Sequence, residues 1–489
     1  MSARKSYKDA SKEVIVARAN ELKDHSLRGK YPGEAEAVLE EYSVAPKNKG
    51  KLGNVVEILH FGLTPNSSPR PDFEISGIEL KTTGMIQKSK EILAKERLSL
   101  GSINFNSFKD PCSWDFEQSG ILEKCGRLLL MFYLYEKDAE ILDLVFKLTE
   151  LWELPAEDKE VVKQDWEKIV ATIRAGRAQD LSEGATFYLG AATTGAGHGK
   201  EVDQPFSNIK AKPRRFSFRK PYLDHILAIQ SERVKKKYGR IFDASKFAKG
   251  IRKSIEEIVI EKFEPFYGME INDIAQRLGI RLNPSAKSFA ATFTKALLNI
   301  QLKKGIEEFH KAGIISRTVR LEPGRPSKES VSFPAFEFEE LINEEWETSS
   351  FKGILESRFF FVFLEYDRPW RKDNAKERKL FLRRAMFWNM PDVDIVEAKK
   401  VWERTVELVN IGRIFKGYEY RKDGSIHRRL SHFPDKGDNR VSHVRPHGGD
   451  ALDTYPLPVP EETTKAVEYT KHCFWINNDY VRDKIYLPK

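Results

Sequence analysis

The stretch Pro71-Asp72-Phe73-Glu74-Ile75-Ser76-Gly77-Ile78-Glu79-Leu80-Lys81 decides how the chain is read. Ser76-Gly77 is a turn signal, so the segment reads as two short strands folded back on each other. Successive strand side chains point to opposite faces, which puts Glu79 and Lys81 on one side. Asp72 and Glu79 offer carboxylate oxygens to a hard divalent cation, and the Leu80 carbonyl offers a further ligand. Such a cation offsets developing charge and acidifies a bound water. A lysine beside it orients that water or stabilises a pentavalent phosphorus. The pattern points to phosphodiester hydrolysis, with Glu57, on an amphipathic helical segment at 51–61, as an added carboxylate. The alternative is a surface hairpin with a salt bridge, because Pro-Asp and Glu-x-Lys arise often in a chain that is 32% charged.

Pro391-Asp392 with Glu397-Ala398-Lys399 repeats the pattern later in the chain. That stretch leads into a helix, where residues two apart stand about 200° apart around the axis. Glu397 and Lys399 therefore cannot share a site. The helix belongs to an internal duplication. Trp152, Pro155, Trp166 and Gly176-Arg177 recur as Trp388, Pro391, Trp402 and Gly412-Arg413, with fourteen residues between the tryptophans and ten more to the glycine in both copies. Arg127 and Arg358 each lead an apolar strand-like run, and an aromatic segment closes each copy, at 215–222 and 473–480. The four tryptophans read as core anchors. Two α/β domains follow, 1–230 and 254–489, joined by a basic linker at 231–253 whose Lys235-Lys236-Lys237 reads as a solvated connector.

Composition agrees with this division. A chain of 489 residues with 40% hydrophobic content buries a large core and commonly splits into two domains. Its 82 Lys+Arg against 73 Asp+Glu give a net charge of +9, which favours a polyanionic partner. Cys112, Cys125 and Cys473 lack CxxC spacing, so neither a disulfide framework nor a zinc cluster is indicated. The charged first residues lack a leader's apolar core, and the apolar runs at 128–135 and 359–364 are too short to span a bilayer. These features lead to the expectation of a cytoplasmic protein without a membrane partner.

Lys49-Gly50-Lys51-Leu52-Gly53, Glu57, Phe61-Gly62, Pro71-Asp72, Gly77-Ile78-Glu79-Leu80-Lys81-Thr82 and Lys95-Glu96-Arg97-Leu98, taken in this order, resemble the MutH and Sau-three-AI endonucleases. The resemblance extends over nearly the whole chain. It implies two tandem MutH-like domains of the PD-(D/E)xK restriction-endonuclease type, the second degenerate. It also implies Mg²⁺-dependent cutting of double-stranded DNA at GATC, with Asp72, Glu79 and Lys81 catalytic and Glu57 auxiliary. The C-terminal half is then a DNA-binding effector. A partner DNA methyltransferase is expected of any such restriction enzyme.

In the second copy, Arg320 and Glu322 are the expected replacements for the catalytic Glu and Lys, a charge order that cannot bind a cation. Its late loop, His443-Val444-Arg445-Pro446-His447-Gly448-Gly449, resembles a base-reading loop of the family, so Arg445 and His447 are candidate DNA contacts, with Trp475 and Asn477 beside them. In the first copy, Thr194 stands where the resemblance implies a lysine, and Ser217 where it implies a tyrosine that senses adenine methylation. Lys95, Arg97, Arg215, Arg219 and Lys220 are candidate DNA contacts there, together with Lys212 and Arg214, against the alternative of a solvated basic face. The expected function is a type II restriction endonuclease, and one site per chain calls for a DNA-induced dimer or two successive nicks. The rivals are a mismatch-repair nickase, to which the duplication is foreign, and a silent DNA-binding regulator, against which the intact Asp72, Glu79 and Lys81 argue.

Overall fold

A computed structural model of the chain describes residues 5–41, 50–65, 68, 70–88, 91–194, 200–229, 238–241, 253–286, 288–323, 330–373 and 377–487. They fall into two units, Met1–Ile255 with Lys303–Gly313, and Glu256–Leu302 with Ile314–Lys489. Among the described residues no helix is long and apolar enough to cross a membrane.

The first unit holds β1 (Glu79–Lys88), β2 (Glu91–Ala94), β3 (Leu98–Ser102), β4 (Arg127–Leu134), β5 (Phe146–Glu153), β6 (Leu189–Thr193), β7 (Val202–Gln204), β8 (Ser207–Ala211), β9 (Arg214–Phe218), β10 (Tyr238–Gly239) and β11 (Gly305–Ile306). Its main sheet runs β2-β1-β4-β5, with β1 parallel to β4 and the other neighbours antiparallel. Leu128, Leu129, Leu130, Met131 and Phe132 of β4 are fully buried, as a continuous apolar run covered on both faces should be. On one face, Leu129 and Met131 pack with Ile15, Val38, Leu52 and Leu59 from the N-terminal helices. The helix Ala156–Arg174 starts after Pro155 and buries Val161, Val162, Trp166, Ile169, Val170 and Ile173. That pattern repeats every three to four residues, the period of a helix with one apolar stripe. A second sheet, β3-β9-β6, is antiparallel throughout.

His60 fixes the helices ahead of β1. Its Nε2 donates to the Arg18 carbonyl (2.6 Å), so Nδ1 of the neutral ring accepts from the Tyr31 hydroxyl (2.8 Å). Burial, then the charge of Arg18, pushes the imidazole down to about 4.

The segment Lys303–Gly313 belongs to the first unit, although it follows the 49 residues 254–302 that a sequence boundary at 254 assigns to the second domain. Its β11 pairs with β10 in parallel. Its helix Glu307–Ala312 delivers Lys311 to Asp158 (2.8 Å). The spatial division is therefore not linear in sequence. Of the expected linker, Tyr238–Gly239 is a strand, and Lys235-Lys236-Lys237 lies outside the described residues.

The second unit holds β12 (Ile315–Leu321), β13 (Val331–Ser332), β14 (Phe359–Tyr366), β15 (Leu380–Trp388), β16 (Phe415–Tyr420), β17 (Ile426–Ser431), β18 (Ser442–Pro446), β19 (Thr454–Pro456), β20 (Glu468–Thr470) and β21 (His472–Ile476). Its sheets β12-β14-β15 and β13-β21-β18 have the strand directions of β1-β4-β5 and β3-β9-β6. The helix Asp392–Asn410 follows Pro391, so Glu397 and Lys399 lie on a helix as expected. Trp152, Trp166 and Trp402 are buried, and Trp388 packs against the second core. Finer contacts recur as well. Tyr222 donates its hydroxyl to Asp158 (2.8 Å), and Tyr480 donates to Asp394 (2.7 Å).

Register corrects one sequence expectation. Glu79 and Lys81 of β1 lie beside Leu128 and Leu130 of β4, whereas Ile315 and Arg317 of β12 lie beside Phe359 and Phe361 of β14. With Arg127 and Arg358 as the common mark, Ile315 and Arg317 hold the places of Glu79 and Lys81. Arg320 and Glu322 lie farther along; Arg320 sits over the Phe289 ring and Glu322 pairs with Arg378 (2.7 Å).

Two predictions follow from this packing. Gly176 has φ +67, and a Cβ there would lie 2.6 Å from the Phe206 carbonyl oxygen. Gly33 has φ +76 and open space around it. Gly176→Ala should therefore destabilise by about 1–3 kcal/mol more than Gly33→Ala in thermal or urea unfolding. His60 is depressed when folded, so its contribution to stability is complete above its unfolded value of about 6.5 and is lost as pH falls toward about 4. His60→Gln keeps a donor for Arg18 and should flatten that part of the stability–pH curve; an unchanged slope would refute the assignment.

Candidate active site

Phe73 and Ile78 exchange backbone hydrogen bonds (3.0 and 3.2 Å), and Gly77 takes φ +60 in the turn between them. The expected hairpin is thus a single bridge around a tight turn rather than two strands. It has a chemical consequence. Asp72, one residue before the bridge, receives the Leu80 N–H on its Oδ2 (2.9 Å), which lashes it to the start of β1. Glu79 and Lys81 share a face there, and Lys81 Nζ stands 2.5 Å from Glu79 Oε1. Glu57 approaches from the first turn of a π-helical segment, Val56–His60, that continues the helix Lys51–Val55. Such widened turns recur at functional sites because they re-aim one side chain.

A fifth group was not anticipated from sequence. Lys124, on the short helix Gly120–Cys125 ahead of β4, places Nζ 3.2 Å from Glu79 Oε1. No spacing from the Pro-Asp motif announces it. The only available signal is its place in the turn preceding the strand that pairs with β1.

The site is short of positive charge despite the two lysines. Burial, then the charge of Asp72, pushes Glu57 up to about 7. Burial and then Glu79 raise Asp72 above the usual carboxylate range. Glu79 is 2% exposed, and its Oε2 is buried without a hydrogen-bond partner. Buried carboxylate oxygens normally find partners. An orphaned oxygen between carboxylates that resist ionising is what a cation would satisfy. Among the described residues no group of three or more His, Cys, Asp and Glu forms a preassembled cage. That donor set suits an ion held by one or two carboxylates, with water and phosphate completing its shell, as Mg²⁺ prefers.

The other candidates have varied surroundings. Arg215 is exposed, with Nη1 3.5 Å from Ser99 Oγ. Lys220 pairs with Asp224 (2.9 Å), Arg97 with Glu183 (2.5 Å), and Lys95 lies 3.1 Å from the Tyr135 ring centroid. Arg219 is 5% exposed and donates to the Thr186, Phe187 and Ala312 carbonyls. That burial and those three carbonyls suit it to bracing the fold. Arg214 is likewise buried on the Ala191 carbonyl (3.1 Å). Thr194 donates its hydroxyl to the Pro213 carbonyl (3.2 Å), and residues 195–199 of its loop lie outside the described residues. Ser217 is buried. In the second unit Arg445 and His447 are exposed beside Trp475, 5.3 and 5.9 Å from its ring. Asn477 is buried and joins His443 (2.5 Å) to the Asn439 carbonyl (2.6 Å).

A family model described as the DNA mismatch repair enzyme MutH matches residues 61–165, the span that carries Asp72, Glu79, Lys81 and Lys124. The type II restriction enzyme Sau3AI of Staphylococcus aureus is 33% identical over 473 residues, covering 90% of this chain and 93% of that protein. The DNA mismatch repair protein MutH of Vibrio campbellii is 25% identical over 203 residues, covering 40% of this chain and 85% of that protein. MutH of Shewanella amazonensis is 28% identical over 136 residues, covering 28% of this chain and 58% of that protein. The similarity to Sau3AI thus runs through both units, and the chain belongs to the MutH and Sau3AI family of DNA endonucleases.

Proposed function

We propose that the chain is a type II restriction endonuclease that hydrolyses double-stranded DNA at GATC, with Mg²⁺ as its cofactor. The observation that carries this is the convergence of Asp72, Glu79 and Lys81, with Glu79 Oε2 buried and unpartnered beside them. Asp72, Glu79 and the Leu80 carbonyl would hold the ion. Bound Mg²⁺ supplies electrostatic stabilisation of the phosphate and acidifies a coordinated water. Lys81 orients the attacking water, Lys124 holds Glu79 in place and adds positive potential, and Glu57 is the auxiliary carboxylate.

The two units are read as tandem MutH-like domains, supported by their shared strand order and the recurring Tyr–Asp hydrogen bond. The second unit has Ile315 and Arg317 at the places of Glu79 and Lys81. It is a non-catalytic domain that binds a second DNA as effector, with Arg445 and His447 toward the bases. Arg215, Lys220, Lys95 and Arg97 serve phosphate contact in the first unit, and Thr194 lies in its recognition loop. One site per chain makes a DNA-induced dimer the route to a double-strand break. A separate methyltransferase protects the host's own sites.

Asp72→Ala should abolish cutting while duplex binding, measured by fluorescence anisotropy, stays within a few-fold of the parent. Lys124→Ala should slow single-turnover cleavage by about 10²-fold, the scale of losing one preorganised charge. Cut ends from a plasmid of known sequence, sequenced after digestion with Mg²⁺, should all map to GATC. Cuts at another site would remove the specificity and keep the enzyme; binding without any cutting would overturn the catalytic reading.

A further inference from the structure

The β16–β17 hairpin has no counterpart in the first unit. Between the helix Ala156–Arg174 and β6 the chain makes only two single turns, Ala178–Asp180 and Glu183–Ala185. Between the helix Asp392–Asn410 and β18 it builds a two-stranded ribbon. The shared topology closes without that ribbon, so folding alone does not account for it.

Its faces are unequal. Phe415, Gly417 and Glu419 are half-buried, while Lys416, Tyr418 and Tyr420 alternate with them on the exposed side. Tyr420 is 60% exposed, next to Tyr418 in edge contact at 6.3 Å, and Tyr418 stands opposite Arg429. The stretch 413–432 carries six Lys and Arg against Glu419 and Asp423 alone. Burial, then Arg413, Lys416 and Arg404, hold His432 below its ordinary range, a sign of positive potential at the ribbon's base.

The ribbon is also built to hold its shape. At the base, the Phe415 N–H donates to Glu461 (3.2 Å) and Arg429 lies over the Tyr469 ring. At the tip, Arg421 N–H donates to the Ser425 carbonyl (2.8 Å), Asp423 accepts from Ser425 N–H (2.9 Å), and Gly424 takes φ +80. Register shifts beside Gly417 and Tyr420 add twist. A twisted, preorganised, cationic ribbon with exposed tyrosines has the dimensions and charge to enter the major groove of a duplex.

We propose that the β16–β17 ribbon is a DNA-contacting element of the second unit, inserting its Tyr418–Tyr420 face into a groove of duplex DNA. Lys416, Arg421, Lys422 and Arg429 lie against the flanking phosphates. The inference rests on the reading that the second unit binds DNA.

The test is anisotropy of the full-length protein with a fluorescent duplex in EDTA across a range of KCl, for Arg421→Gln/Lys422→Gln, Tyr418→Ala/Tyr420→Ala and Arg445→Ala. Removing two phosphate contacts should lower the slope of log K against log salt by about 1.8. The tyrosine pair should weaken binding about tenfold and leave the slope unchanged. These residues are exposed, so melting temperatures should match the parent. If Arg445→Ala weakens binding and both ribbon variants do not, the ribbon proposal is overturned and DNA binding by the second unit stands. If none of the three matters, both fall. A loss seen equally on single-stranded DNA would overturn insertion into a groove.

Discussion

The parallel pairing of β1 with β4 is the constraint on which the candidate active site depends. Antiparallel neighbours can be joined by two residues, but a parallel pair requires a crossover that returns the chain to the same end of the sheet. Here the crossover carries β2, β3 and the helix Gly120–Cys125. It therefore ends beside the N-terminus of β1, where Glu79 lies, and Lys124 arrives at the carboxylates as part of that return. The Asp72–Leu80 hydrogen bond completes the assembly from the other direction, by holding the preceding turn against the same strand end. One local device and one long-range one thus bring together groups that are far apart in sequence.

Legibility in the sequence followed this distinction. The shared side of Glu79 and Lys81 was readable because strand periodicity is local, and the turn at Ser76-Gly77 because glycine tolerates the left-handed conformation there. The Trp spacing gave the duplication, since helices of one length buried on one face must repeat their anchors. Lys124 was not readable, because its neighbour Glu79 is set by crossover geometry. The burial of Arg219 and Asn477 was not readable for a related reason: charged and amide side chains near aromatic segments look alike in sequence whether they face solvent or buried carbonyls. The second copy's strand was aligned by its charges, and only hydrogen-bond register showed that Ile315 and Arg317 take the critical places.

That replacement leaves the two units alike in strand order and unlike at the positions of Glu79 and Lys81. An isoleucine in place of a buried glutamate removes an ion's desolvation cost, and an arginine in place of a lysine keeps a cation without that carboxylate beside it. The surrounding framework, including the Tyr480–Asp394 hydrogen bond, does not need the acidic cluster. Chemistry and scaffold are separable, which frees the second unit to acquire the β16–β17 ribbon.

The return of Lys303–Gly313 to the first unit reverses that freedom at the level of the whole polypeptide. Lys311 and Asp158 are each only 6% exposed, and a buried charge stripped of its partner costs about 3–5 kcal/mol. A single break after Ile255 or Leu302 therefore separates Lys311 from Asp158, whereas one after Gly313 keeps that pair but severs Glu256–Leu302 from the rest of the second unit. Two units interleaved in this manner are genetically indivisible: recombination can replace their loops and ribbons, but no single crossover exchanges either unit as a clean module.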